Sequence, residues 1–419
     1  MFKYGTYSGK WWTVNPTGIF QDEKNAVEGI LTVEDTNTIQ LEVFCPINHS
    51  NSKDPWYYPV VWGCDHQKKW FTLFELQLIE LKPGTSSKFS VKYLLPDVHL
   101  KSMDEPFTNT CIVDYPYLRN WALDSRIIYS ENGGLISWNI DPSQKESMVV
   151  ANLEDGNRID IYTNVQDAFS QYKVEIEQST KVCFGIPQRG TVNQYLRLIS
   201  EFNGFLSLAL LSSQHPSRIE FQQYKRNYST ELIMGYKKST IPSYGGLIWF
   251  EKLKDKVPSL LKQWHENYDL IAPLNKHLLH SISWDNFEPP DYLLVAIALE
   301  GFSKRFNKIG DTYRERIQAL LDYYADVDVV RKCNIDPEVL VQTRNKYAHL
   351  GLDSSDRGKE AIGIELFRLT QKSKVLLSCC LLDELGLTID EINMCCNRSI
   401  MKYVAEDISQ AEKQLGIIQ

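Results

Sequence analysis

The sequence predicts an α+β multidomain chain: an antiparallel, sandwich-like β-rich region first and an all-α helical bundle last. Three observations predict it. Up to about residue 190, short β-branched and aromatic runs alternate at period two between turn clusters, as half-buried strands do. Beyond about 270 nothing reads as a strand, and the apolar runs have helical length and spacing. The stretch between mixes both patterns.

In chain order, "NAVEGILTVED", "TIQLEVFCP", "KWFTLFELQLIEL", "KFSVKYLLP", "RIDIYTNV" and "YKVEIEQ" read as strands. Turn clusters such as "NHSNSKDP" and "ENGG" punctuate them, which fits a sandwich or an open barrel. "TVNQYLRLISEFNGFLSLALLSS" has helical length, and "RIEFQQY" and "ELIMGY" follow as two further strands. The predicted bundle helices span 291–307, 312–325, 337–350, 358–386 and 389–415. Asp336-Pro337 supplies an N-cap followed by Pro at the first helical position, and Gly351 stands where a C-terminal glycine belongs. Thr388 and Glu391 have capping-box spacing, and Gly386 closes the helix before them. The resulting partition is 1–189 β-rich, 190–270 mixed and connecting, and 271–419 all-α.

At 419 residues and 43% hydrophobic, the chain is long enough for two or three cored domains. Its 45 Lys and Arg face 53 Asp and Glu, a formal charge of −8. That excludes a protein coating nucleic acid by bulk charge and leaves contact through a local basic patch or a catalytic encounter. The nine cysteines include no C-x2-C pair and no zinc-finger spacing. They read as buried thiols in a reducing compartment, so no disulfide frame, metal or cofactor is expected. "MFKYGTYSGKWW" lacks a signal-peptide core, and no uncharged run reaches the roughly 18 residues of a membrane span. A cytoplasmic protein without membrane attachment is expected.

The chemistry concentrates in "RNKYAH", residues 344–349. His349 falls in the last turn of the predicted helix, where the negative end of the dipole favours the imidazolium, so the ring can act as base or acid near neutral pH. Arg344 lies five positions earlier, about 140° around a regular helix, so the two share no face. A two-fold dimer would bring the Arg of one copy toward the His of the other. Asn345 does share the His349 face at i, i+4, and could orient the ring or bind an oxygen. An Arg, a His and an amide suit cleavage of an RNA phosphodiester, in which the 2′-hydroxyl is the nucleophile and no metal is required. The bland alternative is a solvated Arg and a His that merely caps a helix end.

"RNKYAHLG" after "DPEVLVQT" resembles the R-x4-6-H motif of HEPN domains, with the polar residue those motifs carry directly after the Arg. "YLLVAIALEGFSKRFN" resembles the helix that carries an acidic residue in large members of the group. "GKWW", "VEGILTV", "VVWGCDHQKKWFTLFE" and "YPYLRNWAL" are similar to the amino-terminal region of ApeA-like proteins, which end in a HEPN domain. The resemblance implies a metal-independent endoribonuclease of abortive-infection, anti-phage type. It would act as a homodimer through the HEPN domain on an RNA, with tRNA one candidate, and leave 2′,3′-cyclic phosphate and 5′-hydroxyl ends. Arg344 and His349 become its catalytic pair with Asn345 assisting, and the β-rich region its sensing half, open to a phage-derived trigger. The alternative within the group is a non-catalytic dimer that holds RNA or nucleotide. HEPN toxins silenced by adenylylation carry a Tyr two places after the His, and this chain departs from them with Gly351.

Glu300, inside the apolar run "LLVAIALEGF", must lie at a helix edge or have a partner; orienting Arg344 or another catalytic group and forming a plain structural ion pair are equal expectations. Lys304, Arg305, Lys308, Arg314 and Arg316, interleaved with Phe306 and Tyr313, and Lys346 beside the motif are candidates for an RNA backbone, against a solvated face. His277 and His280 are spaced for one helical turn but have no further ligand nearby in sequence, which favours interior or capping roles over a metal. Trp11, Trp12, Trp56, Trp62, Trp70 and Trp121 read mostly as core residues, with a surface subset suited to recognition.

Overall fold

A computed structural model describes residues 4–13, 26–35, 38–45, 47, 56–122, 127–132, 135–140, 147–169, 174–223, 228–235, 237–242, 246–282, 287–307, 310–349 and 361–414. The chain divides into two compact units. The first comprises 1–116, 125–199 and 215–238; the second comprises 117–124, 200–214 and 239–419.

The first unit is β. Strands β1 (Gly5–Thr13), β2 (Val27–Val33), β3 (Ile39–Val43), β4 (Tyr57–Asp65), β5 (Trp70–Lys82) and β6 (Ser86–Pro96) pair in the order 6-3-2-1-4-5. A further pairing of β5 with β6 closes them into an antiparallel barrel. Alternation alone left sandwich and open barrel undecided, and this one pairing resolves the matter. Every second residue of β2 and β3 is buried, so Leu31, Val33, Ile39, Leu41 and Val43 turn into the barrel. Strand β7 (Thr108–Asp114) begins a second sheet. After the hairpin of β8 (Ile127–Asn132) and β9 (Leu135–Ile140), that sheet continues through β10 (Ser147–Asn152), β11 (Arg158–Phe169), β12 (Val174–Gly190), β13 (Arg218–Gln223) and β14 (Tyr228–Glu231), in the order 10-11-12-7-13-14. The short β15 (Ile233–Met234) extends the barrel at β6.

Trp11 is the largest fully buried barrel side chain, and it fits because Gly63 faces it across the β1–β4 pairing. A Cβ at Gly63 would lie 2.0 Å from the indole. Trp12 and Trp62 are buried too, while Trp56 is 54% exposed. His99 stacks on Trp62 with ring centroids 4.7 Å apart and meets Trp12 and Trp70 edge-on. Burial pushes its imidazole down to about 4.

The second unit is helical: α1 (Leu118–Trp121), the latter part of α2 (Val192–Leu210), α3 (Phe250–Leu253), α4 (Val257–Glu266), α5 (Tyr268–His280), α6 (Pro289–Phe302), α7 (Tyr313–Tyr323), α8 (Asp328–Cys333), α9 (Pro337–His349), α10 (Ile364–Glu384), α11 (Ile389–Arg398) and α12 (Ile400–Gln414). The caps read from sequence are present. Asp336 Oδ1 accepts the Glu338 N–H at 2.8 Å, and Thr388 and Glu391 form a reciprocal capping box. Gly386, at φ +87°, ends α10. Three expectations are corrected. The segment 389–415 is two helices, because Ser399 is extended (φ −96°, ψ 177°) and its hydroxyl accepts the Met401 N–H at 3.2 Å, as an N-cap does. Residues 361–363 precede α10 instead of belonging to it; 358–360 lie outside the described residues, as does Gly351. The six-residue α8 is too short to show a periodicity and is absent from the sequence reading. No helix among the described residues is long and apolar enough to cross a membrane.

Helix α10 is buried around almost its whole circumference and packs against α5, α6, α8, α11 and α12. Its core includes Lys374, 3% exposed, whose ammonium donates to the Ser281 carbonyl. Burial pushes that ammonium down to about 8. None of the nine cysteines is in a disulfide: six are buried, Cys64 and Cys183 are partly buried, and Cys45 is exposed.

Two stability tests follow from these cores. Gly63→Ala should destabilise the protein by about 2 kcal/mol through overpacking against Trp11, read as a lower urea midpoint; an unchanged midpoint would mean that the indole has room to move. Lys374→Met should stabilise it near pH 7. Between about 8 and 10.5 the unfolded lysine holds its proton while the folded one has lost it, so wild-type stability climbs with pH in that window. The advantage of the methionine variant should therefore shrink there by up to about 3 kcal/mol. A gap between the two proteins that ignores pH would show that Lys374 stays charged in the fold.

Candidate functional site

Helices α6, α7 and α9 supply the site. Helix α6 is apolar on every side, burying Val295, Ala296, Ala298, Leu299 and Phe302, and Glu300 is the carboxylate near its end. After Phe302 the helix widens into a π turn, Ser303–Asn307, a feature common at functional positions. Helix α7 starts at Tyr313 because Thr312 and Glu315 form a capping box, a signal legible in the sequence but missed in the reading. Tyr313 is half-buried; the desolvation of its phenol pushes it well up, and its hydroxyl donates to the Ala296 carbonyl at 2.9 Å. Tyr292 donates to the Leu340 carbonyl at 2.6 Å and so ties α6 to α9.

Arg344 projects from α9 into this setting. Its Nη2 donates to Glu300 Oε2 at 2.8 Å, its Nη1 to Asn345 Oδ1 at 3.0 Å, and its guanidinium carbon lies 5.7 Å from the centre of the Tyr313 ring. The Arg344 and Glu300 side chains are 26% and 16% exposed. Glu300 also accepts from Lys304 Nζ at 2.6 Å through its other oxygen. Burial alone would raise the Glu300 carboxyl, but the hydrogen-bonded Lys304 ammonium and the Arg344 charge outweigh it and hold the group below the usual carboxylate range. Two cations against one carboxylate leave the cluster one positive charge in excess. Arg344 Nε is buried and has no hydrogen-bond partner among the described residues.

Asn345 is exposed, and its carbonyl oxygen is engaged by Arg344. His349 is the last residue of α9; its side chain lies outside the described residues. Thr343, fully buried one position before Arg344, accepts the Ala361 N–H at 2.9 Å and pins the chain where it returns after residue 360.

The basic candidates are mostly engaged with the protein. Lys304 is on Glu300, Arg305 donates to the Leu270 carbonyl at 3.0 Å, and Arg314 pairs with Glu338 at 3.0 Å. Arg316 donates to the Gly310 and Asp311 carbonyls at 3.0 and 2.8 Å. Lys346 is half-buried, and Lys308 lies outside the described residues. His277 and His280 sit in the last turn of α5, where burial and the neighbouring His280 push the His277 imidazole down and His280 approaches Asp291 at 3.8 Å. Among the described residues no group of three or more His, Cys, Asp or Glu is placed to hold a metal ion.

Two family profiles match the chain: ApeA N-terminal domain 1 over residues 6–264 and Apea-like HEPN over residues 293–391. The chain belongs to the ApeA-like family. Its HEPN stretch takes in α6, α7 and α9, and with them Glu300, Tyr313, Arg344 and His349. HEPN domains are typically RNase effectors in defence, commonly dimerise and act on RNA. No curated protein and no solved structure matches the chain.

A double-mutant cycle of Glu300→Gln and Arg344→Gln, followed by urea unfolding, should return a coupling of about 1 kcal/mol for this partly buried pair. Zero coupling would mean that Glu300 does not hold Arg344.

Proposed function

We propose that this chain is a metal-independent endoribonuclease effector of anti-phage defence, in which Arg344 and His349 cleave an RNA such as tRNA. The observation that carries the reading is the anchoring of Arg344. A guanidinium held by Glu300 and Asn345 over the Tyr313 ring uses two of its five donors, and its cluster retains one positive charge. That arrangement suits a phosphoryl group on which negative charge grows.

In the proposed reaction the RNA 2′-hydroxyl attacks its own 3′-phosphate. His349 takes the proton of the attacking hydroxyl or delivers one to the departing 5′-oxygen, and the free N–H groups of Arg344 bind the phosphoryl oxygens. Because the ribose supplies the nucleophile, no metal-bound hydroxide is needed. Glu300 is a positioning residue that acts through Arg344. Five helical positions separate Arg344 from His349, about 140° around the axis, so a homodimer with the α9 helices near its two-fold axis completes the site. In this reading the β-rich unit is the regulatory half and answers a phage-derived trigger, as the order of the two matched domains supports.

Purified protein incubated with total RNA in EDTA should yield ends with a 2′,3′-cyclic phosphate and a 5′-hydroxyl. Arg344→Ala and His349→Ala should each abolish cleavage, a loss of at least about a hundredfold, with the circular dichroism spectrum unchanged. Glu300→Gln should retain partial activity. Mixing the two inactive alanine variants should restore part of the activity if one composite site reunites Arg344 and His349 from different copies. Cleavage that persists in His349→Ala, or that EDTA abolishes, would overturn the chemistry. Tight RNA binding without any cleavage would make the chain a non-catalytic RNA-holding dimer.

A further inference from the structure

The helical unit has an open cavity of about 1000 Å3 that shares no residue with the Arg344 cluster. Its lining comes from 120–121, 210, 242, 246, 248–251, 397–398 and 402–403, so none of it falls within the HEPN match at 293–391. Trp121, Ile248 and Phe250 form an apolar floor of buried side chains. Above them the Arg398 guanidinium lies 3.4 Å from the centre of the Trp249 ring. Arg398 is exposed and, among the described residues, has no carboxylate partner, so its donors remain available to a ligand while the indole fixes its plane.

The break at Ser399 builds this wall. Asn397 and Arg398 end α11, and Lys402 and Tyr403 project from the first turn of α12 into the same cavity. Tyr403 is 58% exposed, an open aromatic ring at the cavity. Two cations, Arg398 and Lys402, and one carboxylate, Glu251, line the cavity, which makes the lining itself net positive in a chain of charge −8; Glu406 approaches Lys402 at 3.9 Å from outside the lining. A guanidinium plane on an indole, a second open ring, a free cation edge and the carbonyl oxygen of Asn397, whose amide nitrogen is held by Asn393 at 2.9 Å and Asp328 at 3.4 Å, match a planar base that carries phosphate. The volume is at the upper end of the roughly 300–1,000 Å3 usual for small-molecule sites, and suits one nucleotide better than a polymer.

We propose that this cavity is a binding site for a mononucleotide, with the base stacked against the Trp249–Arg398 pair and the phosphates on Arg398 and Lys402. The proposal does not rest on the ribonuclease reading, since binding is measured without RNA cleavage. Isothermal titration of the full chain with ATP, GTP, CTP and UTP in turn should show saturable one-site binding by at least one of them. Tripolyphosphate should bind at least about tenfold more weakly, a difference near 1.4 kcal/mol. Arg398→Gln and Lys402→Gln should each weaken the nucleotide at least about tenfold; should Arg398→Gln fail to fold, Lys402→Gln decides. The proposal is overturned if no triphosphate binds, if binding ignores both substitutions, if tripolyphosphate binds as well as the nucleotides, or if a single-stranded RNA octamer binds through these residues more tightly than any mononucleotide.

Discussion

One carboxylate organises the candidate site. Glu300 accepts from Lys304 one turn along its own helix and from Arg344 on α9, and so fixes the phase of the π turn against the helix that carries the "RNKYAH" segment. An unpaired carboxylate at this depth would be driven toward its neutral form; a carboxylate with two cations stays charged and directs both. Because each of its oxygens has a different partner, Glu300 orients Arg344 without neutralising the cluster.

The surroundings transmit that order. Tyr292, Tyr313 and Thr343 each use a hydroxyl to bind backbone: Tyr292 and Tyr313 join neighbouring helices, and Thr343 joins α9 to the returning chain. These are buried polar groups with their hydrogen bonds made, which favours a single arrangement of α6, α7 and α9. The Lys374 ammonium deeper in the unit is of another kind, since it donates to a neutral carbonyl, that of Ser281, and burial works against its charge.

Much of the fold was legible because its signals are local. The Asp336-Pro337 start, the Thr388 capping box and Gly386 all recur in the structure where the sequence put them, and the apolar runs of β2 and β3 alternate as read; β5 does not, since Phe71, Thr72, Leu73 and Phe74 are all buried. The missed elements failed for identifiable reasons. Strands β1 and β4 contain Gly9 and Gly63, which read as turn residues, yet the glycines are there because backbone and the Trp11 ring leave no space for a Cβ. Ser399 divides two helices with neither Pro nor Gly to mark the place, using only its own hydroxyl. In the site, Arg344, Asn345 and Glu300 each stood out as residues, and a contact of Glu300 with Arg344 was one expectation that their separation of 44 positions left undecided, while nothing in the pattern of α7 shows that Tyr313 lies beneath the guanidinium. The Trp249–Arg398 pair, 149 positions apart, was invisible for the same reason.

The boundary between the two units is not a point along the chain. The helical unit includes 117–124 and 200–214, and these segments bond inside it: Trp121 donates to the Ile248 carbonyl, the Gly204 carbonyl accepts from Asn275, and Glu201 holds His265 at 2.6 Å. Both segments lie within the stretch matched by the amino-terminal family profile, so that match and the first compact unit do not coincide. Severing the backbone once, anywhere between them, would strip the helices of interior wall that arrives from upstream. A helical fragment that began after residue 238 would therefore have to do without the indole of Trp121, the Glu201 carboxylate and the Gly204 carbonyl, each of which bonds inside the helical unit.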